Sequence, residues 1–141
     1  MKGPIQSLEV SYLVHATEDP ERVRAAVSSL LGFGGEPQED RLEGHFGNPI
    51  LRVSYHLTGE EAQSGFDRLA SRMGQALRTR LKGELGEHLD EHFALYLRLD
   101  KQELLSGNLE ISDADPVRVR VKPRLYTARA GARALFAGLL S

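Results

Sequence analysis

The run Val117-Arg118-Val119-Arg120-Val121-Lys122 sets three cations on alternate residues, and Arg124, Arg129 and Arg133 follow it. Alternate residues of an extended strand share one face about 7 Å apart, close to the step between successive phosphates of an extended polyanion. Arginine forks across two phosphate oxygens, whereas lysine supplies a mobile point charge. A solvated strand paired to acidic neighbours is the competing reading of the same run. Residues 116–141 hold six Arg or Lys and no Asp or Glu, while the preceding 115 residues hold 12 basic and 20 acidic side chains. The net charge of −2 and the pI near 6.2 therefore conceal a local basic stretch.

Other residues offer related chemistry. Arg52 and Arg98 fall on the polar phase of two further alternating segments, and Tyr96 offers a ring on which a base can stack. In Gly44-His45-Phe46-Gly47-Asn48-Pro49 the glycines permit close backbone approach and His45 and Asn48 offer polar contacts, although the same composition suits a plain turn. The ending Gly-Lys-Ser/Thr of a phosphate-binding P-loop is absent from it. Asp100-Lys101-Gln102 reads in two ways, as ligand contacts by Lys101 and Gln102 or as a helix capped by Asp100.

Metal and nucleophile chemistry find little support. His88 and His92 are four apart, but the His-Glu-x-x-His order of a zinc protease is missing, and a solvated helix end is the simpler reading. Asp113-Ala114-Asp115-Pro116 reads as a turn before it reads as a magnesium site. Ser11 and Ser54 lie near His15 and His56 without a nucleophile elbow or an acidic orienter. There is no dinucleotide fingerprint, and no cysteine for thiol chemistry, disulfides or Cys-bound metal. The chain is expected to be no enzyme and to need no cofactor or metal.

The elements that must position these residues follow from periodicity. Leu8, Val10, Tyr12 and Val14 alternate with Glu9, Ser11, Leu13 and His15, and Leu51, Val53, Tyr55 and Leu57 alternate with Arg52, Ser54 and His56. Phe93 to Asp100 and Val117 to Lys122 repeat the pattern, with Pro123 as a stop. Asp19-Pro20 predicts a helix start, with Val23, Ala26, Val27, Leu30 and Leu31 as its apolar stripe and glycines 32, 34 and 35 ending it. Thr58 and Glu61 have capping-box spacing ahead of a long helix carrying Ala62, Phe66, Leu69, Ala70, Met73 and Leu77. A shorter helix is expected over 83–91.

At least four strands and two strong helices predict an α+β two-layer sandwich, its sheet mainly antiparallel or mixed and covered by helices on one face. At 141 residues and 40% apolar composition, a single domain over 1–141 is expected, with 124–141 as a C-terminal helical extension weakened by Gly131 and Gly138. No signal-like segment and no 18-residue apolar run is present, so a cytoplasmic location without membrane contact is the expectation.

Glu43-Gly44-His45-Phe46-Gly47-Asn48-Pro49-Ile50, Leu97 to Gln102 and Val117 to Val121, taken in order, resemble an archaeal RNA-binding protein family predicted to be an exosome-associated subunit. The resemblance runs from about Leu8 to Lys122. It implies a ribosomal protein L5-like fold, RNA as partner, and a role as a non-catalytic adaptor that works with the exosome or other RNA-processing proteins. It carries no catalytic residue with it. Gly44, His45, Gly47, Asn48, Arg98, Asp100, Lys101 and Gln102 match the family's signatures, and all of these but Asp100, with Arg52, Tyr96, Arg118, Arg120, Lys122 and Arg124, form the expected RNA-binding set. The alternative is a protein-interaction subunit whose basic C-terminal stretch binds an acidic protein partner.

Overall fold

The alternating segments form the strands of one antiparallel sheet in a computed structural model, which describes residues 3–32, 36–44, 46–124 and 129–141. In chain order the elements are β1 (Ile5–His15), α1 (Pro20–Leu31), β2 (Gln38–Glu43), β3 (Pro49–Thr58), α2 (Gly59–Arg72), α3 (Gln75–Gly83), α4 (Leu85–His88), β4 (Leu95–Asp100), α5 (Lys101–Leu105), β5 (Pro116–Pro123) and α6 (Arg129–Leu139). The strand order is β2-β3-β1-β5-β4, and all four pairings are antiparallel. In β1, β4 and β5 the apolar phase is buried, as the pattern requires. Leu8, Val10, Tyr12, Val14, Leu95, Leu97, Leu99, Val117, Val119 and Val121 lie at 3% exposure or less.

Asp19 caps α1 by accepting from the Glu21 N–H at 3.0 Å. The apolar stripes of α1 and α2 close the core over the sheet, with Val23, Val27, Leu30, Phe66 and Leu69 fully buried. Gly65 sits where α2 crosses β1: a Cβ there would lie 2.8 Å from Leu8 Cδ2, so a larger residue would push the helix off the strand or displace Leu8. From the C-terminal side, α6 returns to the same core. Its Phe136 meets Phe66 edge-on, with ring centroids 6.2 Å apart at 71°. Burying each ring contributes about 1.5–3 kcal/mol, so this helix is part of the core despite its two glycines.

Three expectations need correction. The strand β2 was not expected, because Gln38-Glu39-Asp40-Arg41-Leu42-Glu43 has no apolar alternation. It is a largely exposed edge strand, where charged side chains discourage further pairing. The long helix stops at Met73, whose ψ of 131° is extended, and Leu77 belongs to the separate α3. Of the helix expected over 83–91 only α4 forms, since Leu89 bridges to Leu95 as an extension of the sheet. Gly34 and Gly35, expected to end α1, lie outside the described residues. No helix among the described residues is long and apolar enough to cross a membrane.

Candidate nucleic-acid interface

The sheet face away from α1 and α2 carries the polar phase of every strand, and register fixes its layout. In one row Arg98 of β4 stands directly opposite Arg118 of β5, which stands opposite Ser11 and then Ser54. The next row runs Tyr96, Arg120, Glu9, His56. Beyond it Lys122 stands opposite Ser7, and Ser7 opposite Thr58. Arg52 lies on the same face opposite Leu13 and Asp40. Six expected contact residues therefore share one face: Arg52, Tyr96, Arg98, Arg118, Arg120 and Lys122.

Their charges differ in availability. Arg118 and Lys122 are exposed and have no hydrogen-bond or ion-pair partner among the described residues. Arg98 donates to Asp113 Oδ1 at 3.3 Å, but the two side chains are 48% and 87% exposed, so the pair contributes at most about 1 kcal/mol. Arg98 also lies over the Tyr96 ring, 5.1 Å from its centroid, which presents the guanidinium plane and holds one ring face. Arg52 donates to Asp40 Oδ2 at 3.1 Å in a similarly exposed pair.

Arg120 is more firmly held. Its Nε donates to Asp90 Oδ2 at 2.9 Å, and Glu9 lies 3.8 Å away. The other oxygen of Asp90 accepts from the backbone N–H groups of His92 and Ala94, closing a tight turn in which Phe93 takes a φ of 65°. Burial alone would raise the Asp90 carboxyl, but the Arg120 bond and the two backbone donors outweigh it and hold the group below its ordinary value. Beside Tyr96 and Arg98 a cleft of about 530 Å³ opens toward α3 and α4, with His88 at its wall. His88 Nδ1 lies 3.3 Å from Tyr96 O and Nε2 lies 3.3 Å from Glu84, so the ring ties α4 to β4.

Lys101 is a correction. Its side chain is 2% exposed, and its Nζ donates to Leu13 O at 2.7 Å, Glu18 Oε1 at 2.8 Å and Asp115 Oδ2 at 2.6 Å. An ammonium enclosed on three sides by acceptors has no donor left for a phosphate. His15, Glu18 and Asp115 bring possible metal ligands within 4.8 Å of one another, but Lys101 already supplies the positive charge between the carboxylates. Both carboxyls would rise on burial; the Lys101 hydrogen bond, joined by the His15 N–H at Glu18 and by the His15 side chain at Asp115, holds them below their ordinary values. Gln102 is exposed and donates to Glu18 Oε2 at 3.3 Å, so it belongs to this cluster at the end of β1 and not to the basic rows. Asp100 caps α5 by accepting from the Glu103 N–H at 2.9 Å.

The remaining expected residues lie at the rim. Arg124 donates to the carbonyls of Gly3 and Ile5, locking the start of β1 to the end of β5. Gly44 and Asn48 close the β2–β3 hairpin through Gly44 N–H to Asn48 O at 2.7 Å, and Gly47 turns it with a φ of 75° that favours glycine. His45 lies outside the described residues. Phe46, which sequence reasoning passed over, is 86% exposed at this tip. An aromatic inside a glycine-rich turn, with no apolar alternation to bury it, was the available signal. Leu42, on the neighbouring strand, is also exposed, and it faces Ile50 across the pair.

Comparison with known proteins identifies the scaffold. A protein-family model described as RNA binding matches residues 7–123. RNA-binding protein PAB1135 of Pyrococcus abyssi is 30% identical over 135 residues, covering 89% of this chain and 88% of that protein. Among solved structures, protein AF2318 from Archaeglobus fulgidus, a DUF54 protein, superposes with a TM-score of 0.82 at 28% identity over 96% of this chain and 99% of its own. A UPF0201 protein from Methanococcus jannaschii shares the fold alone, with a TM-score of 0.59 at 16% identity over 93% and 92% of the two chains. These matches overturn the expected ribosomal protein L5-like fold: the α+β sandwich is that of the DUF54 and UPF0201 proteins. With most of its length matched by the family model and an archaeal relative aligned along nearly all of it, the chain belongs to this archaeal RNA-binding protein family.

Proposed function

We propose that the chain binds single-stranded or short structured RNA on the open sheet face, without catalysing a reaction, and presents it to processing machinery. The observation that carries this reading is the placement of Arg98 directly opposite Arg118, with Lys122 on the same face and neither Arg118 nor Lys122 paired to an acid among the described residues. Like charges facing each other across a ladder destabilise a sheet, and a polyanion laid over them reverses that cost. Arg118 and Lys122 neutralise phosphates, Arg98 adds a guanidinium plane stacked on Tyr96, and Arg52 extends the track. Arg120 orders the face through Asp90 more than it contacts RNA. Gly44, Gly47 and Asn48 shape one boundary of the face.

The family and the name of the Pyrococcus relative support RNA as the partner. The adaptor role in exosome-associated RNA processing rests on the sequence resemblance. The acidic-protein alternative draws less support, because the family model and the name of the Pyrococcus relative both point to RNA.

The test is the double variant Arg118→Gln with Lys122→Gln, titrated with a fluorescent oligonucleotide across a salt series. Removing two phosphate contacts should flatten the slope of log affinity against log salt by about 1.4 and weaken binding at least tenfold near 0.1 M salt, with thermal stability undiminished or slightly raised as the Arg98–Arg118 repulsion is relieved. Undiminished RNA affinity in the folded variant sinks the proposed face. Intact RNA binding with loss of a protein partner favours the alternative.

A further inference from the structure

At the far end of the open face the sheet ends in a depression of about 440 Å³. Its floor is the row Thr58, Ser7, Lys122, three residues on adjacent strands about 4.8 Å apart. Ser7 is only 7% exposed and lines the depression, yet its hydroxyl has no hydrogen-bond partner among the described residues. Its oxygen is not closed off from solvent, and from the depression it can donate to or accept from whatever enters. Thr58 precedes α2 without making the side-chain capping bond its position allows, so its hydroxyl too is not committed there.

The walls carry three basic side chains, Arg120, Lys122 and Arg124, against one carboxylate, Glu9. Lys122 is unpaired among the described residues, and Arg124 is held in place by the Gly3 and Ile5 carbonyls, which fix its guanidinium without neutralising its charge. Arg120 and His56 border the depression on either side of Glu9, which lies 3.8 Å from the first and 3.3 Å from the second. The fourth side is Gly59, at the start of α2. Glu60 and Glu61 already complement that helix dipole, so the side-chain cations and hydroxyls carry the site.

We infer that this cup binds a terminal phosphomonoester, the phosphorylated end of an RNA strand lying along Arg118 and Lys122. The inference rests on the RNA-binding reading above for the source of the phosphate. An internal phosphodiester has one negative charge and chain on both sides, whereas a terminal phosphate carries nearly two charges, three acceptor oxygens and chain on one side only. A depression at the end of the cationic row, lined by two hydroxyls, an ammonium with no partner among the described residues and an immobilised guanidinium, fits the second description. Among the described residues the free cations of β5 end at Lys122, since Arg124 is turned to the Gly3 and Ile5 carbonyls and its N–H to Pro4 O.

Three oligonucleotides of one sequence, bearing a 5′-phosphate, a 3′-phosphate or hydroxyls at both ends, test this in titrations of the full-length protein. One phosphorylated form should bind about tenfold more tightly than the hydroxyl form. Ser7→Ala, a small deletion outside the RNA track, should remove most of that gap and leave affinity for the hydroxyl form in place. Equal, salt-sensitive binding of all three overturns the cup while the open face stands. Absence of binding to any of them overturns both readings. Saturation by inorganic phosphate without discrimination among the oligonucleotides overturns the RNA terminus as ligand and points to a free phosphorylated compound.

Discussion

Lys101 and Lys122 are the same residue type, each beside a β-strand terminus, and the molecule treats them in opposite ways. Lys101 lies at the β4–α5 junction with its ammonium bonded to Leu13 O, Glu18 and Asp115. Lys122 lies near the end of β5, exposed and without an ion pair among the described residues. The first cation ties together the end of β1, the start of α5 and the turn before β5. The second leaves its field to solvent and to whatever anion arrives. A lysine's role here follows from which carboxylates the fold delivers to it.

The sharpest way to break this comparison is Lys101→Met. Removing one partner of an enclosed ion cluster leaves Glu18 and the Leu13 carbonyl uncompensated, and a loss of about 3 kcal/mol is expected in chemical denaturation. Glu18 and Asp115 have folded values below their ordinary 4.5 and 3.8, so their contribution is present above those values and drains away as pH falls through the lowered ones. Stability of the native protein should therefore drop below about pH 4, and the variant should show a shallower acid dependence. A variant as stable as the native chain would mean the cluster is incidental.

Asp90→Asn probes an intermediate case, a cation half held and half offered. The amide keeps an oxygen for the His92 and Ala94 N–H groups but gives up the charge facing Arg120, and a loss of about 1.5 kcal/mol is expected. Freed from Asp90, Arg120 should raise RNA affinity about twofold, in the direction opposite to stability. A fall in affinity instead would show that Arg120 must be fixed to act. Arg52→Gln is the mildest test: its exposed pair with Asp40 predicts a stability change within about 0.5 kcal/mol, together with an RNA affinity lowered by no more than twofold. A large stability loss would show that this edge pair holds β2 in place.

Much of this architecture was legible from alternation. Val117 to Lys122 and Phe93 to Asp100 announced both strand character and which residues would share a face, because the two-residue period of a strand is a local property, although Phe93 and Ala94 fall in the turn before β4. The edge strand β2 was not legible, since its residues face solvent on both sides and carry no apolar signal. The basic rows were visible as composition; the Arg98–Arg118 juxtaposition required the register of β4 on β5. Ser7 gave no signal at all. It became part of a candidate site only when Thr58 and Lys122 arrived on either side of it, from strands 51 and 115 residues away.

The sequence by itself determined four of the five strands, the main helices, the apolar core and the concentration of positive charge after residue 116, because periodicity and composition act along the chain. The tertiary structure alone decided which of those charges remain free. Electrostatic and hydrogen-bond energies depend on separation in space, and Glu18 reaches Lys101 across 83 residues while Asp90 reaches Arg120 across 30. Arg118 and Lys122 are left without such a partner among the described residues, and only the folded sheet sets them apart from the cations it has already neutralised.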